Sequence, residues 1–318
     1  MKKVLLLTAD ADGGLGRTIR EAVGGDAEVV RPRERTREML HALLPMCDVV
    51  VGDWSGDLPL GREEAEIGQH LLLIQQPGAG TNFIDIEAWR SAGVPVANTP
   101  GANSASVAEW AVLAAGALCR SMLWAHREVS DGRWPQESIL ERDCRDLAQR
   151  RVGIVGFGEI GRRCAELFAA FGCDVFVTAR SQPADCTSAT FVSLEVLLPL
   201  ADVLVLAVPL TESTLGLIDA GSIECLPRGS IVVNVARGAV IDDTAMSAAL
   251  HTGRIGGAAL DVFDVEPLSN SSPLRGFDST LLSPHVAGGS AGARAAIYCM
   301  TARNVAAAVR SQSIRWAL

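Results

Sequence analysis

The chain has 318 residues, 48% of them hydrophobic, so its length allows two domains and its composition allows a large core in each. Its net charge of −9, without any run of Lys or Arg, argues against nucleic acid and anionic membrane surfaces as partners. No apolar run reaches the roughly 18 residues of a membrane span.

The first apolar segment, residues 4–7, predicts a strand. It is too short for a signal peptide, and acidic residues follow it at once. Gly13, Gly14 and Gly16 come next, but their spacing does not fit a dinucleotide fingerprint. We therefore predict only a loop between a strand and a helix at these glycines.

Short apolar runs recur along the chain, with helix-compatible segments between most of them. This alternation is typical of parallel sheets that are covered on both faces. We predict two doubly wound α/β units, one before residue 98 and one after residue 150. The runs are residues 4–7, 49–51, 71–74 and 94–96, then 152–155, 175–177, 203–208, 231–235, 258–260 and 281–282.

Two longer helices are predicted outside these alternating elements. Residues 104–129 are rich in Ala and Leu and contain no proline, and residues 291–309 form the last apolar helix. If the last helix returns to the first unit, the chain crosses twice between its domains. We expect residues 1–99 and 287–318 to form one domain and residues 100–286 to form a domain inserted between them.

The run Gly156-Phe157-Gly158-Glu159-Ile160-Gly161 stands between a predicted strand and a predicted helix, the context that a dinucleotide fingerprint requires. Gly156 suits a tight turn, Gly158 suits close approach of the backbone to a pyrophosphate, and Gly161 suits close packing of helix and strand. The N–H groups at the start of the helix then bind the pyrophosphate. A glycine turn with a structural role alone is the alternative.

The end of the next predicted strand bears on the choice between NAD and NADP. An NAD site has an acidic residue about 20 residues past the glycines, where it binds the ribose hydroxyls. Ala179 stands there, Asp185 comes too late, and Arg180 and Ser181 offer donors to a 2′-phosphate. We therefore expect a preference for NADP(H), with a solvated Arg180 stacked on adenine as the alternative.

Arg237 is a candidate for binding a carboxylate. It follows the apolar strand at residues 231–235, and Gly238 follows it. The carboxyl ends of strands in a doubly wound sheet face the ligand crevice, and the planar guanidinium matches a carboxylate. A surface salt bridge is an equally open interpretation of this arginine.

Two later strands end in acid–base groups. Asp261, Asp264 and Glu266 follow the strand at residues 258–260, and His285 follows the next one. Solvated loop acids and a surface histidine are the alternatives. A histidine that shares a crevice with a carboxylate forms an acid–base pair.

Together these segments resemble the D-isomer-specific 2-hydroxyacid dehydrogenase family, in particular its members that reduce glyoxylate or hydroxypyruvate. The segments Gly156–Gly161, Val235-Ala236-Arg237-Gly238, Leu260-Asp261-Val262-Phe263 with Glu266-Pro267, and Pro284-His285-Val286-Ala287-Gly288 stand in the family's order and spacing. Gly78-Ala79-Gly80-Thr81 resembles its substrate loop, and Val208-Pro209-Leu210-Thr211 resembles its adenosine-side loop. The resemblance covers nearly the whole chain.

The resemblance implies that the inserted domain is a Rossmann cofactor domain and that the other is a flavodoxin-like substrate domain. It implies that Arg237 binds the substrate carboxylate and carbonyl oxygen, that His285 is the acid–base group and that Glu266 holds its tautomer. The expected reaction is the reversible reduction of a small 2-oxo acid to a D-2-hydroxy acid with NAD(P)H. No metal is expected.

Further contacts follow from the same resemblance. The backbone N–H groups of the substrate loop bind the substrate carboxylate, and Asp261 and the backbone near Val235 contact the nicotinamide carboxamide. The expected substrate contacts are Gly78, Ala79, Gly80, Arg237 and His285. The expected cofactor contacts are Val107, Gly156, Gly158, Glu159, Ile160, Gly161, Arg180, Ser181, Pro209, Thr214, Val235, Ala236, Asp261, His285 and Gly288.

Other functions stay open at this stage. A binding protein that senses dinucleotides has the same fold, as does a dehydrogenase of phosphoglycerate or of another 2-hydroxy acid, and relatives act on formate or phosphite. The three candidate catalytic residues favour an enzyme, and Glu266 argues against formate because formate enzymes of the superfamily have Gln there. Trp54 either contributes to substrate selection or packs in a core.

Two expectations concern assembly and compartment. The apolar helix at residues 104–129 and the arm that follows it carry Trp110, Trp124 and Trp134, which favours a homodimer that pairs through the cofactor domains. Packing of these residues inside one domain is the alternative. The eight cysteines show no metal-ligand spacing, so we expect reduced thiols in a cytoplasmic protein.

Overall fold

A computed structural model of the protein describes residues 1–8, 13–142, 144–182 and 188–318. They form two compact units, Met1–Asn103 with Ser290–Leu318, and Ser104–Gly289. The sequence-based boundaries lie a few residues earlier, after residues 99 and 286. Asp185, considered above as an acidic residue past the glycines, and Cys186 lie outside the described residues.

The first unit is built on a five-stranded parallel sheet. Its strands are β1 (Lys2–Leu6), β2 (Ala27–Val30), β3 (Val49–Val51), β4 (Leu73–Gln75) and β5 (Val96–Ala97). Their order across the sheet is β2-β1-β3-β4-β5. Val4 and Leu6 join a core on one face of the sheet, and Leu5 joins a second core on the other face. The strands are apolar throughout because both faces are covered.

In the part of the chain that the structure describes, five helices cover this sheet. They are α1 (Gly14–Val23), α2 (Arg37–Leu43), α3 (Arg62–Ile67), α4 (Ile86–Ser91) and, from the end of the chain, α11 (Ala291–Val309). Ala302 and Val305 of α11 share a core with Leu15 and Ile19 of α1. Helix α11 therefore belongs to the first unit, although it follows the second unit in the sequence.

The second unit is built on a seven-stranded parallel sheet. Its strands are β6 (Arg151–Val155), β7 (Asp174–Thr178), β8 (Thr190–Phe191), β9 (Val203–Leu206), β10 (Ser230–Asn234), β11 (Ile255–Leu260) and β12 (Thr280–Leu282). Their order is β12-β11-β10-β9-β6-β7-β8. From β6 the chain builds β7 and β8 on one side and then continues with β9 on the other.

Helices lie on both faces of the second sheet. They are α5 (Ser104–Cys119), α6 (Met122–Ser130), α7 (Glu159–Ala170), α8 (Leu194–Leu197), α9 (Ala220–Cys225) and α10 (Asp243–His251). Phe168 of α7 is buried in the core that α5 shares, whereas Ile223 of α9 and Met246 of α10 are buried in the core on the opposite face. The predicted pair of doubly wound parallel-sheet units is confirmed.

The structure corrects three local predictions. The helix predicted over residues 104–129 is broken, because Ser121 has φ +49° and the axes of α5 and α6 differ by 65°. Helix α1 begins at Gly14, so glycines that we assigned to a loop form its first turn. Strands β2 and β8 were missed, because edge strands are half-exposed and short, and so lack a long apolar run.

In the described residues, no single helix is long and apolar enough to cross a membrane. Helices α5 and α6 pass that test only as a bent pair, on length and composition. Residues along α5, including Val107, Ala111 and Ala115, are buried in a core of the second unit.

Candidate active site

A glycine turn joins β6 to α7. Gly156 has φ +100°, a left-handed conformation that favours glycine, and its N–H donates to the Thr178 carbonyl at 2.8 Å. A Cβ on Gly156 would overlap the Ala207 backbone, and a Cβ on Gly161 would overlap the Gly156 carbonyl. Around Gly158, which precedes α7, a Cβ would meet no described atom within 4 Å. The turn therefore leaves room for a ligand beside the N–H groups that begin α7.

The turn lies where the strand order reverses. Because β6 has β7 on one side and β9 on the other, the loops after these strands diverge and leave a crevice at their carboxyl ends. Glu159 and Ile160 form the first turn of α7, and Pro209 and Thr214 follow β9. Thr214 Oγ1 donates to the Pro209 carbonyl at 2.7 Å. The structure thus brings these predicted cofactor residues to one edge of the sheet.

The segment after β7 lies beside the glycine turn, since the Thr178 carbonyl accepts from Gly156. Ala179, Arg180 and Ser181 are exposed there. Arg180 forms no hydrogen bond or ion pair with the described residues. Ala179 therefore stands where NAD sites have an acidic residue, and the positive side chain of Arg180 follows it directly.

Arg237 is held by the end of β10. The Nδ2 group of Asn234 donates to the Arg237 carbonyl at 3.0 Å, and its Oδ1 accepts from Ala236 N at 3.0 Å. Burial lowers the pKa of the Arg237 guanidinium, and the negative charge of Glu266 opposes this shift. Sequence reasoning did not single out Asn234, although a polar residue that ends an apolar strand is a signal for such a role. Arg237 is a partly buried cation at the carboxyl edge of the sheet.

Gly238 brings the backbone after Arg237 against the loop that follows β11. A Cβ on Gly238 would overlap the peptide that joins Phe263 and Asp264. This position therefore accepts only glycine. The close approach fixes Arg237 relative to the loop that carries Glu266.

Glu266 and His285 form a hydrogen-bonded pair. The His285 Nδ1 atom lies 2.9 Å from Glu266 Oε2, and Glu266 Oε1 accepts from Phe263 N at 3.0 Å. A carboxylate only accepts, so Nδ1 carries the hydrogen and donates it. The other ring nitrogen, Nε2, has no partner within the described residues. Nε2 is therefore the atom of this pair that can exchange a proton with a substrate.

Asp261 fixes the loop that carries His285. Its buried carboxylate accepts hydrogen bonds from Ser283 Oγ at 2.5 Å, Val286 N at 2.8 Å and Ala287 N at 2.9 Å, and its carbonyl accepts from His285 N at 2.8 Å. His285 has φ +56°. The contact of Asp261 with nicotinamide stays a prediction, whereas its role in loop geometry is visible directly.

The remaining predicted site residues have clear places in the fold. Gly78, Ala79 and Gly80 follow β4 in the first unit, and Trp54 follows β3 in the same sheet. Trp54 is exposed rather than packed in a core. The other residues belong to the second unit, where Val107 is buried in α5, Val235 and Ala236 are buried after β10, and Gly288 follows the His285 loop.

Carboxylate and imidazole groups also cluster away from these residues. Among the described residues, His41, Glu63 and Glu64 of the first unit place ligand atoms within 4.8 Å of one another. Glu64 Oε1 already accepts from Arg37 Nε at 2.9 Å and lies 2.7 Å from His41 Nε2. The carboxylate charge is therefore already paired with a cation.

Residues 112–287, more than half of the chain, match the family model described as D-isomer specific 2-hydroxyacid dehydrogenase, NAD binding domain. The matched segment contains the glycine turn, Arg237, Asp261, Glu266 and His285. The matched range therefore includes the residues from which the candidate site of the second unit is built.

Known relatives extend the similarity into the first unit. A hydroxypyruvate reductase of Thermotoga maritima is 32% identical over 260 residues, which cover 81% of this chain and 83% of the relative. A D-3-phosphoglycerate dehydrogenase of Archaeoglobus fulgidus is 32% identical over 257 residues, 79% of this chain and 47% of the relative. The chain thus spans about half the length of that second relative.

A solved structure shares the complete fold. The TT0316 protein of Thermus thermophilus aligns with a TM-score of 0.89 and 27% identity, and the alignment covers 99% of each chain. This similarity includes both parallel sheets.

The Asp261 contacts generate a stability prediction. Replacing the carboxylate in Asp261→Asn turns one acceptor into an NH₂ group that faces backbone N–H donors. We expect the free energy of unfolding to fall by about 1–3 kcal/mol, measured by urea titration. The matched control is Asp264→Asn, an exposed residue of the same loop, with an expected change below about 0.5 kcal/mol. Equal effects of both substitutions would remove the role assigned to Asp261.

Proposed function

The chain belongs to the D-isomer-specific 2-hydroxyacid dehydrogenase family of oxidoreductases, and we propose that it reduces a small 2-oxo acid to a D-2-hydroxy acid with a nicotinamide cofactor. Glyoxylate and hydroxypyruvate are the proposed substrates, and the reaction is reversible. The observation that carries this proposal is the hydrogen-bonded pair of His285 and Glu266. The Nε2 atom of His285 has no partner among the described residues, and the pair lies at the same edge of the sheet as Arg237. A proton donor and a carboxylate-binding cation are what the reduction of a 2-oxo acid requires.

The glycine turn fits a dinucleotide, because the space at Gly158 and the N–H groups that begin α7 suit a pyrophosphate. When bound, this cofactor supplies the hydride that adds to the carbonyl carbon. Side chains of the protein perform the other steps of the reaction. They bind the substrate, orient its carbonyl group and deliver a proton to its oxygen.

The proton comes from His285 Nε2 and goes to the carbonyl oxygen as negative charge develops there. Glu266 stabilises the imidazolium form before this transfer and keeps Nδ1 protonated throughout. Arg237 binds the substrate carboxylate and the carbonyl oxygen, where its positive charge stabilises the developing alkoxide. In the reverse direction, Nε2 accepts the hydroxyl proton.

The cofactor preference that we propose is for NADP(H). Because residue 179 is alanine, no acidic side chain is present there to repel a 2′-phosphate. The exposed Arg180 and Ser181 offer hydrogen-bond donors to that phosphate. Arg180 is not engaged with any described residue, so binding a phosphate would break no ion pair among them.

We also propose a homodimer. Leu113 of α5 is 70% exposed, and Trp134 and Leu140 of the following arm are 79% and 84% exposed. Large apolar side chains grouped on one segment mark an association surface.

The seven described cysteines are free thiols, which supports the proposal of a reducing, cytoplasmic compartment.

The central test of this function is turnover with a panel of 2-oxo acids. We expect His285→Ala to lower kcat by about 10²- to 10⁴-fold, the usual range for loss of a general acid. Arg237→Lys keeps the charge but loses the planar fork, so it should raise the KM of the oxo acid. Glu266→Gln should cause a smaller loss and change the pH–rate profile, because the amide oxygen can still accept from the imidazole but the negative charge beside it is gone.

His251→Ala, at the exposed end of α10, is the matched histidine control and should retain wild-type kcat. A near-normal kcat for His285→Ala at all pH values contradicts the assignment. Binding of NADPH without turnover of any acid in the panel would favour a dinucleotide-sensing protein. Turnover of phosphoglycerate alone would contradict glyoxylate and hydroxypyruvate as substrates and would leave the family membership unchanged.

The cofactor proposal is tested by the ratio of kcat/KM for NADPH to that for NADH. We expect a ratio above one in the wild type. Ala179→Asp should lower it by repelling the 2′-phosphate, and Arg180→Ala should lower it by removing a donor. Arg310→Ala, on an exposed arginine of the first unit, serves as the control. A wild-type ratio below one contradicts the proposal.

The dimer is tested by light scattering at micromolar concentration. We expect the mass of two chains for the wild type and of one chain for Leu113→Glu, because a buried, unpaired carboxylate opposes association. Val196→Glu changes an equally apolar, 51% exposed residue on α8 and should remain dimeric. A wild-type monomer, or a dimeric Leu113→Glu variant, refutes the assigned interface.

A further inference from the structure

Three buried polar side chains lie at the carboxyl edge of the first sheet. Gln76 follows β4, and Asn98 and Thr99 follow its neighbour β5. Each is more than nine-tenths buried, and the atoms Gln76 Oε1, Asn98 Oδ1 and Thr99 Oγ1 have no hydrogen-bond partner within the described residues. Unsatisfied buried oxygens are costly and require an explanation.

Asn98 and Thr99 hold the loop at residues 78–81, whose backbone N–H groups the family resemblance assigns to the substrate carboxylate. Asn98 Nδ2 donates to the Ala79 carbonyl at 2.9 Å, and Thr99 N donates to the Gly78 carbonyl at 3.1 Å. Two successive carbonyl groups of the loop are therefore fixed against the end of β5.

The N–H groups of the same loop are left without partners. Within the described residues, none of the N–H groups of Gly78, Ala79, Gly80 and Thr81 donates a hydrogen bond. Because the carbonyls of Gly78 and Ala79 are engaged, the polar groups that the loop still offers are mainly donors. A run of backbone donors is what an anion requires.

A chain of buried amides fixes the backbone just before this loop. Asn304 Nδ2 of α11 donates to Gln75 Oε1 at 2.8 Å, and Gln75 Nε2 donates to the Gln76 carbonyl at 2.9 Å. Both side chains are buried. The loop is thus held from β4 by Gln75 and from β5 by Asn98.

We propose that Asn98 is a positioning residue for substrate binding, whose side-chain amide holds the Ala79 carbonyl and so keeps the loop N–H groups available to the substrate carboxylate. This inference rests on the proposed function. It explains the unpaired Oδ1, because directing Nδ2 at Ala79 leaves the acceptor side of the amide without a donor among the described residues. An apolar residue would avoid that cost but would release the loop carbonyl.

The test is Asn98→Asp, which keeps the shape of the side chain but loses the donor. We expect the KM of the oxo acid to rise at least tenfold, with kcat and the KM of NADPH changed less than threefold. Thr301→Val, on α11 of the same unit, is the matched control, since it removes an equally buried hydroxyl that has no partner among the described residues. It should retain the wild-type KM. If Asn98→Asp does not fold, Asn98→Ala takes its place with the same expectation.

Hydrogen exchange of the peptide that contains residues 78–81 supplies a readout independent of turnover. Oxamate, a carboxylate analogue of a 2-oxo acid, should slow exchange in the wild type and not in Asn98→Asp. Protection in the wild type without activity on any 2-oxo acid refutes the proposed function and leaves the role of Asn98 intact. Activity with an unchanged KM and unchanged protection in Asn98→Asp overturns the role of Asn98. Absence of both activity and protection in the wild type overturns both proposals.

Discussion

The hydrogen bonds of the buried Asp261 carboxylate organise the edge of the second unit that carries the candidate active site. Three donors from the loop after β12 converge on it, and its own carbonyl holds the N–H of His285. These contacts set the backbone conformation from which the imidazole meets Glu266. A charge-assisted hydrogen bond is stronger than a neutral one, so a single carboxylate is enough to hold a short loop without regular secondary structure.

The parallel sheet supplies the remaining constraint. Strands β10, β11 and β12 are neighbours, so the loops that carry Arg237, Glu266 and His285 emerge side by side. Backbone contact at Gly238 then joins the first of these loops to the second, and the pair of Glu266 and His285 joins the second to the third. Arg237 and the candidate proton donor His285 are therefore placed by three adjacent loops that support one another.

The sequence allowed candidate chemical groups to be identified more readily than the contacts that support them. The glycine motif, Arg237, Glu266 and His285 were recognisable because their types and spacing carry chemical meaning, and the apolar runs identified two parallel sheets correctly. The supporting contacts were not recognisable. Asn98 holds a loop some 20 residues away in sequence, and the turn at Ser121 arises from a backbone angle that its residue type does not specify. Such features depend on tertiary neighbours, which a linear pattern does not contain.

The left-handed backbone at His285 restricts how this site can change during evolution. At φ +56°, Gly, Asn and Asp fit with little strain, whereas Val, Ile and Thr do not, because a branched Cβ crowds the backbone. The substitutions of His285 that this backbone conformation accepts are therefore mainly small residues, whether or not they can donate a proton. A variant chain with Gly, Asn or Asp at position 285 therefore fits this loop without a proton donor, so the backbone conformation does not by itself require histidine there.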